Sequence, residues 1–99
     1  MRWVVYLARC ADGTLYCGIT NDLAERITAH NTGKGAKYTA GRGPVVVVLS
    51  RRCADKSFAL RLEHAIKQLT RTEKEALIAE RARLTTIVRR LRARPARAA

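Results

Sequence analysis

The sequence has no Cys-x-x-Cys pair. Its three cysteines, Cys10, Cys17 and Cys53, are odd in number and far apart, a pattern that argues against both a disulfide framework and a structural zinc site. They read as buried thiols. A long apolar run is missing too: a run such as Val45 to Leu49 falls well below the ~20 residues that span a bilayer. The opening stretch MRWVVYLARC has one charge before its apolar residues but no small-residue cleavage site, so it reads as a first strand and not as a secretory signal. A cytoplasmic protein with no membrane partner is expected. Acidic residues are scarce, 8 against 20 Lys+Arg, for a net charge of +12. None occurs between Glu25 and Asp55, an interval that holds Arg26, Lys34, Lys37, Arg42, Arg51 and Arg52. Such a surplus favours a polyanion partner through counterion release, over a merely soluble basic surface. The glycine-rich segment TGKGAKYTAGRGP does not match GxxxxGK[ST], so nucleoside triphosphate binding is not indicated.

What is present fits one small domain. A chain of 99 residues buries roughly 60–70% of its unfolded surface, enough for one core and one site. No internal repeat or domain boundary interrupts it; the domain is expected over residues 1–92, followed by a basic, disordered tail over 93–99. WVVYLARC and TLYCGIT read as two strands around the turn residues ADG. A two-residue Asp12-Gly13 turn would set Tyr6 opposite Ile19 and send Tyr6 and Tyr16 to opposite faces. A three-residue loop, with Ala11-Asp12 in a type I turn and Gly13 left-handed, pairs Cys10 with Thr14 and sets Ala8 opposite Tyr16, so both tyrosines share a face. The second register is expected, because Ala-Asp suits a type I turn and glycine tolerates positive φ.

NDLAERITAHN then reads as a helix with Asn21 as N-cap, Leu23 and Ile27 buried, and Arg26 and His30 one turn apart on the same flank. VVVVLS reads as a third strand, apolar on both faces and therefore central or covered by helices. DKSFALRLEHAIKQLT gives a second helix buried along Phe58, Leu62, Ile66 and Leu69, with Glu63 and Lys67 four apart on a neighbouring strip. TEKEALIAERARL gives a third, opened by a capping box of Thr72 and Glu75. Beyond Leu84 a short helix precedes an Arg/Ala/Pro-rich end with five arginines and no acid.

Each candidate site residue has an ordinary explanation when taken singly. Tyr6 and Tyr16 suit strands, Arg26 suits a solvated helix face, and Glu63 can pair with Lys67. Glycine inside a strand is less easily explained, and Tyr16 stands just before Cys17-Gly18, where something must approach the backbone closely. Their order and spacing, VVYLARC…LYCGITNDLAERITAHN…GKGAKYT…RLEHAIKQL, resemble the GIY-YIG endonuclease family, most closely its small single-domain bacterial branch. That branch is related to the catalytic domains of structure-specific DNA nucleases. The resemblance runs from Trp3 to about Leu69. Here GIY is VVY and YIG is YCG, and a zinc-binding partner domain has no counterpart.

The resemblance implies an α+β fold, a three-stranded antiparallel sheet flanked by helices, with a phosphodiester cleavage site on one sheet face. It implies Tyr16, helped by Tyr6, as the group that activates or positions water, Arg26 as the ligand of the scissile phosphate, and His30 as an aid to proton transfer. Glu63 is implied as sole carboxylate ligand of one Mg²⁺ or Mn²⁺ ion, weakly held until DNA contributes a phosphate oxygen. Lys34, Lys37, Thr39 and Arg42 are expected to grip the DNA backbone without specifying sequence. The expected function is a metal-dependent endonuclease acting on branched or single-strand/duplex junction DNA in repair or recombination, nucleoid-associated when bound, with a protein partner not identifiable. The alternatives are a nucleic-acid-binding module of the same fold with little cleavage and, less favoured, an RNA-associated basic protein.

Overall fold

β-Branched and aromatic residues build β1 (Trp3–Arg9), and a tight turn folds β2 (Leu15–Thr20) back against it. The Cys10 amide donates to the Thr14 carbonyl at 2.8 Å, the Gly13 amide donates to the Cys10 carbonyl at 2.9 Å, and Gly13 takes φ +87°. This is the three-residue loop: Ala8 lies opposite Tyr16 and Tyr6 opposite Gly18. The Asp12 carboxylate fastens the turn by accepting from the Thr14 amide at 3.1 Å and its hydroxyl at 2.6 Å. The computed structural model describes residues 2–32 and 43–94.

α1 (Leu23–Asn31) follows β2, capped by Asp22 and not by Asn21. Asp22 has the extended backbone of a cap (φ −147°, ψ 90°), and its carboxylate accepts from the Glu25 amide at 3.1 Å. β3 (Val46–Cys53) pairs antiparallel with β1, giving the strand order β2-β1-β3. β3 is thus an edge strand. Its valine run does not mark a central position: Leu49 buries on the side of α2 and α3, and Val46 at the open end is 59% exposed. A bulge between Leu7 and Ala8 shifts its register.

Three helices follow: α2 (Lys56–Lys67), α3 (Arg71–Ala79) and α4 (Ala82–Ala93). The expected third helix is broken at Glu80, whose extended backbone (φ −130°, ψ 92°) ends α3, and α4 begins before Leu84. The capping box is Thr70 with Glu73, both hydrogen bonds being present, not Thr72 with Glu75. Glu75 instead takes a bidentate pair from Arg9 of β1 at 2.7 and 2.9 Å and a third bond from Arg71 at 3.0 Å. Arg9, then Arg71, hold its carboxyl down at about 2.

The sheet separates two apolar clusters, as strand alternation requires. Val5, Leu7, Cys17, Leu49 and Cys53 face α2, α3 and α4, where Leu62, Ile66, Leu77, Leu84 and Val88 bury against them. Tyr6, Ala8, Cys10 and Val45 face the other way, packed with Tyr16, Leu23 and Ile27 beneath α1. All three cysteines are buried and free. Among the described residues no helix is long and apolar enough to cross a membrane.

Candidate active site

Two strands and one helix supply the site on the α1 face. The hairpin register sets Tyr6 and Tyr16 side by side, with ring centroids 6.1 Å apart. Gly18, opposite Tyr6, leaves room for them: a Cβ there would stand 2.8 Å from Tyr6 Oη and 2.9 Å from Tyr16 Cε2. α1 lays Arg26 and His30 over the pair. His30, only 2% exposed, has its ring 5.1 Å from that of Tyr16, nearly edge-on at 64°. Its Nε2 lies 2.9 Å from Tyr6 Oη. The Arg26 guanidinium lies close enough to both tyrosine hydroxyls to act on them electrostatically.

The protons follow from these partners. Arg26 can only donate, so it favours an arrangement in which Tyr6 Oη faces it with a lone pair and turns its own hydrogen to Nε2 of His30. Burial, and then the nearby Arg26 charge, lower the His30 pKa, in keeping with a neutral ring. Burial pushes the Tyr6 hydroxyl up to about 12 against the opposing pull of Arg26. Burial works against the Arg26 charge, but the two phenol oxygens outweigh it and its pKa rises. A guanidinium has five N–H donors, so one that faces two phenols keeps donors for an anion.

Glu63 comes from a different element, α2. It projects on the helical side of the sheet, and its carboxylate lies 3.5 Å from Lys67 Nζ, with the side chain 18% exposed. Burial chiefly raises the Cys17 thiol to about 12, aided by the Glu63 charge and opposed by Lys67 and Lys74. The two regions meet at the outer edge of β2, where Leu15, Tyr16, Cys17, Lys67 and Lys74 line one cleft. Among the described residues no three His, Cys, Asp or Glu side chains gather as a metal-binding group. Glu63 is therefore a lone hard-oxygen donor, which suits only an ion that keeps its water and borrows further oxygens from a phosphate.

Lys34, Lys37, Thr39 and Arg42 lie outside the described residues. The segment that carries them is bracketed by a residue that sequence reasoning passed over. Asn31, at the end of α1, accepts from the Val45 amide and donates to its carbonyl at 3.3 Å, tying α1 to the start of β3. Lys67 and Lys74 were also passed over as site residues. Helical spacing shows Lys67 only as a partner for Glu63, and their shared cleft appears once α2 and α3 are docked.

Comparison with known proteins bears on the family and the fold. The GIY-YIG catalytic domain matches residues 2–76. A UPF0213 protein of Vibrio cholerae is 52% identical over 83 residues, 83% of this chain and 82% of its own. The UPF0213 protein YhbQ of Salmonella paratyphi B is 49% identical over 79 residues, 80% of this chain and 79% of its own. The solution structure of a UPF0213 protein from Bacillus halodurans superposes with a TM-score of 0.53 at 44% identity, covering 80% of this chain and 84% of that one. The solution structure of a protein from E. faecalis gives a TM-score of 0.55 at 36% identity, covering 78% of this chain and 83% of that one. The chain belongs to the GIY-YIG catalytic domain family, with its nuclease-type fold.

Proposed function

We propose that the protein is a divalent-metal-dependent DNA endonuclease that hydrolyses phosphodiester bonds in branched or junction DNA, in repair or recombination. The observation that carries this reading is the gathering of Tyr6, Tyr16 and His30 on one sheet face, rings 5.1–6.2 Å apart and Tyr6 Oη 2.9 Å from His30 Nε2, with Arg26 one helical turn before His30. Arg26 has donors left for the scissile phosphate, whose charge grows at the transition state. Tyr16 borders the β2-edge cleft and positions the attacking water. Tyr6, held near 12, is no base at neutral pH, but it can take a proton at Oη while its own passes to Nε2 of His30. The imidazolium so formed, disfavoured by burial and by Arg26, then yields its proton to the leaving oxygen. Glu63 would hold one Mg²⁺ or Mn²⁺, an ion that supplies positive charge to the phosphate and leaving oxygens.

With labelled branched and single-stranded DNA and Mn²⁺, Tyr16→Phe or Arg26→Ala should slow cleavage by about 10²–10⁴-fold. Glu63→Gln should abolish the metal-dependent cleavage. Wild type cutting no better than Tyr16→Phe and Glu63→Gln would remove the catalytic reading. The second reading, a binding module of the same fold, draws support from Glu63 being paired with Lys67 on the helical side of the sheet. It predicts salt-sensitive binding that survives both substitutions and weakens with Arg26 or Lys37. RNA bound as well as or better than DNA would favour an RNA-associated role.

A further inference from the structure

The helical side of the sheet carries cations that the tyrosine site does not use. The Arg61 and Arg92 guanidiniums both lie 5.8 Å from the centre of the Phe58 ring, one from α2 and one from α4. Lys56 Nζ sits 5.0 Å over the adjoining Trp3 ring. Arg61 also donates to the carbonyls of Leu91 and Arg94, closing the end of α4 and drawing that helix's charge toward the same place. Arg89 lies one turn before Arg92 on the same strip, and Arg89, Arg92 and Arg94 are exposed. Asp55 is the carboxylate beside this group, and it is engaged in capping α2 at the Phe58 amide, 2.8 Å away. After Glu80 the chain has no acid. Among the described residues none of Lys56, Arg61, Arg89, Arg92 and Arg94 forms an ion pair with a carboxylate.

Guanidiniums that converge on one ring without acids repel one another, and a polyanion relieves that repulsion. α4 lies beyond the residues 2–76 that match the family, and it packs on the sheet face opposite Tyr6 and His30. We propose that the end of α4 and the start of α2 form a second binding surface for the phosphate backbone of duplex DNA. The molecule then holds one DNA segment at the tyrosine face and another arm on its back. This surface does not depend on cleavage.

The test is binding of a labelled duplex to the full chain in EDTA, by fluorescence anisotropy across a salt series. Replacing Arg89, Arg92 and Arg94 by glutamine should lower the slope of log affinity against log salt by about 2–3, since each neutralised phosphate contributes about 0.9. The triple lysine variant should keep the wild-type slope. Arg89→Gln alone, removing a side chain that makes no hydrogen bond or ion pair among the described residues, should lower it by about one and guards against misfolding of the triple variant. Arg26→Gln should weaken binding separately, so that the combined variant loses both contributions. An unchanged slope in the glutamine variants would overturn the proposal. So would a lysine triple as weak as the glutamine triple, or arginine-dependent binding to anionic lipid vesicles with no effect on DNA.

Discussion

Gly18 has an ordinary strand backbone, so space is what demands glycine there. A methyl group would enter the gap between the two tyrosines, closer to Tyr6 Oη and Tyr16 Cε2 than van der Waals contact allows. Gly18→Ala should cost about 1–3 kcal/mol, as overpacked positions do. It should lower cleavage by about 10²-fold, because the reacting groups shift. A thermal melt and a cleavage assay on one preparation separate the two effects. Tyr6 makes a second prediction. Its hydroxyl is raised to about 12 in the fold and ionises near 10 in an unfolded chain. The folded state therefore keeps a proton that the unfolded state loses, and this stability, complete below pH 10, is lost as pH rises through 12. Cys17, also raised to about 12, adds a loss that starts nearer pH 9. Tyr6→Phe should flatten the decline above pH 10 and leave the part from pH 9. Urea unfolding at pH 8, 9.5 and 11 measures both; an unchanged slope above pH 10 would contradict the burial of this phenol.

Among the elements, α3 tests how helix ends are read. Thr70→Ala should cost about 1 kcal/mol, since the hydroxyl accepts from the Glu73 amide and the reciprocal bond depends on the same geometry. Thr72→Ala, inside the first turn, should change the urea midpoint little. Both threonines have glutamate three residues on, so the sequence pattern fits either one. The choice is made by Arg9, which draws Glu75 to β1 from 66 residues away and leaves Glu73 to the cap. The same limit explains the other differences. No glycine or proline marks the break at Glu80, because α4 turns away to bury Leu84 and Val88. Four valines do not tell a central strand from an edge strand. The hairpin was legible because Ala-Asp-Gly is local turn chemistry, and with it came the shared face of Tyr6 and Tyr16. Arg26 and His30 were legible from helical spacing. The place of Glu63 was not, since it depends on how α2 docks against the sheet.

For the whole molecule, the core extends past the part that resembles the family. The match ends at residue 76, yet Leu84 and Val88 of α4 are 4% and 1% exposed within the cluster that holds Leu62, Ile66 and Leu77. A domain this small is stable by about 5–15 kcal/mol. Burying one such side chain contributes about 1.5–3 kcal/mol, before counting the α2 and α3 surface that α4 covers. Loss of α4 therefore removes an amount comparable to the total. A chain ended at Ala79, with every candidate site residue intact, should show no cooperative melt at 25 °C and should lose binding and cleavage together. Leu84→Ala, at about 2–5 kcal/mol, should lower the melting temperature while leaving the site able to work below it. A truncated chain that melts within a few degrees of the full one would mean that the first three helices close the core alone. In that case the arginines of α4 would sit on an appendage, and their placement behind the sheet would lose its structural reason.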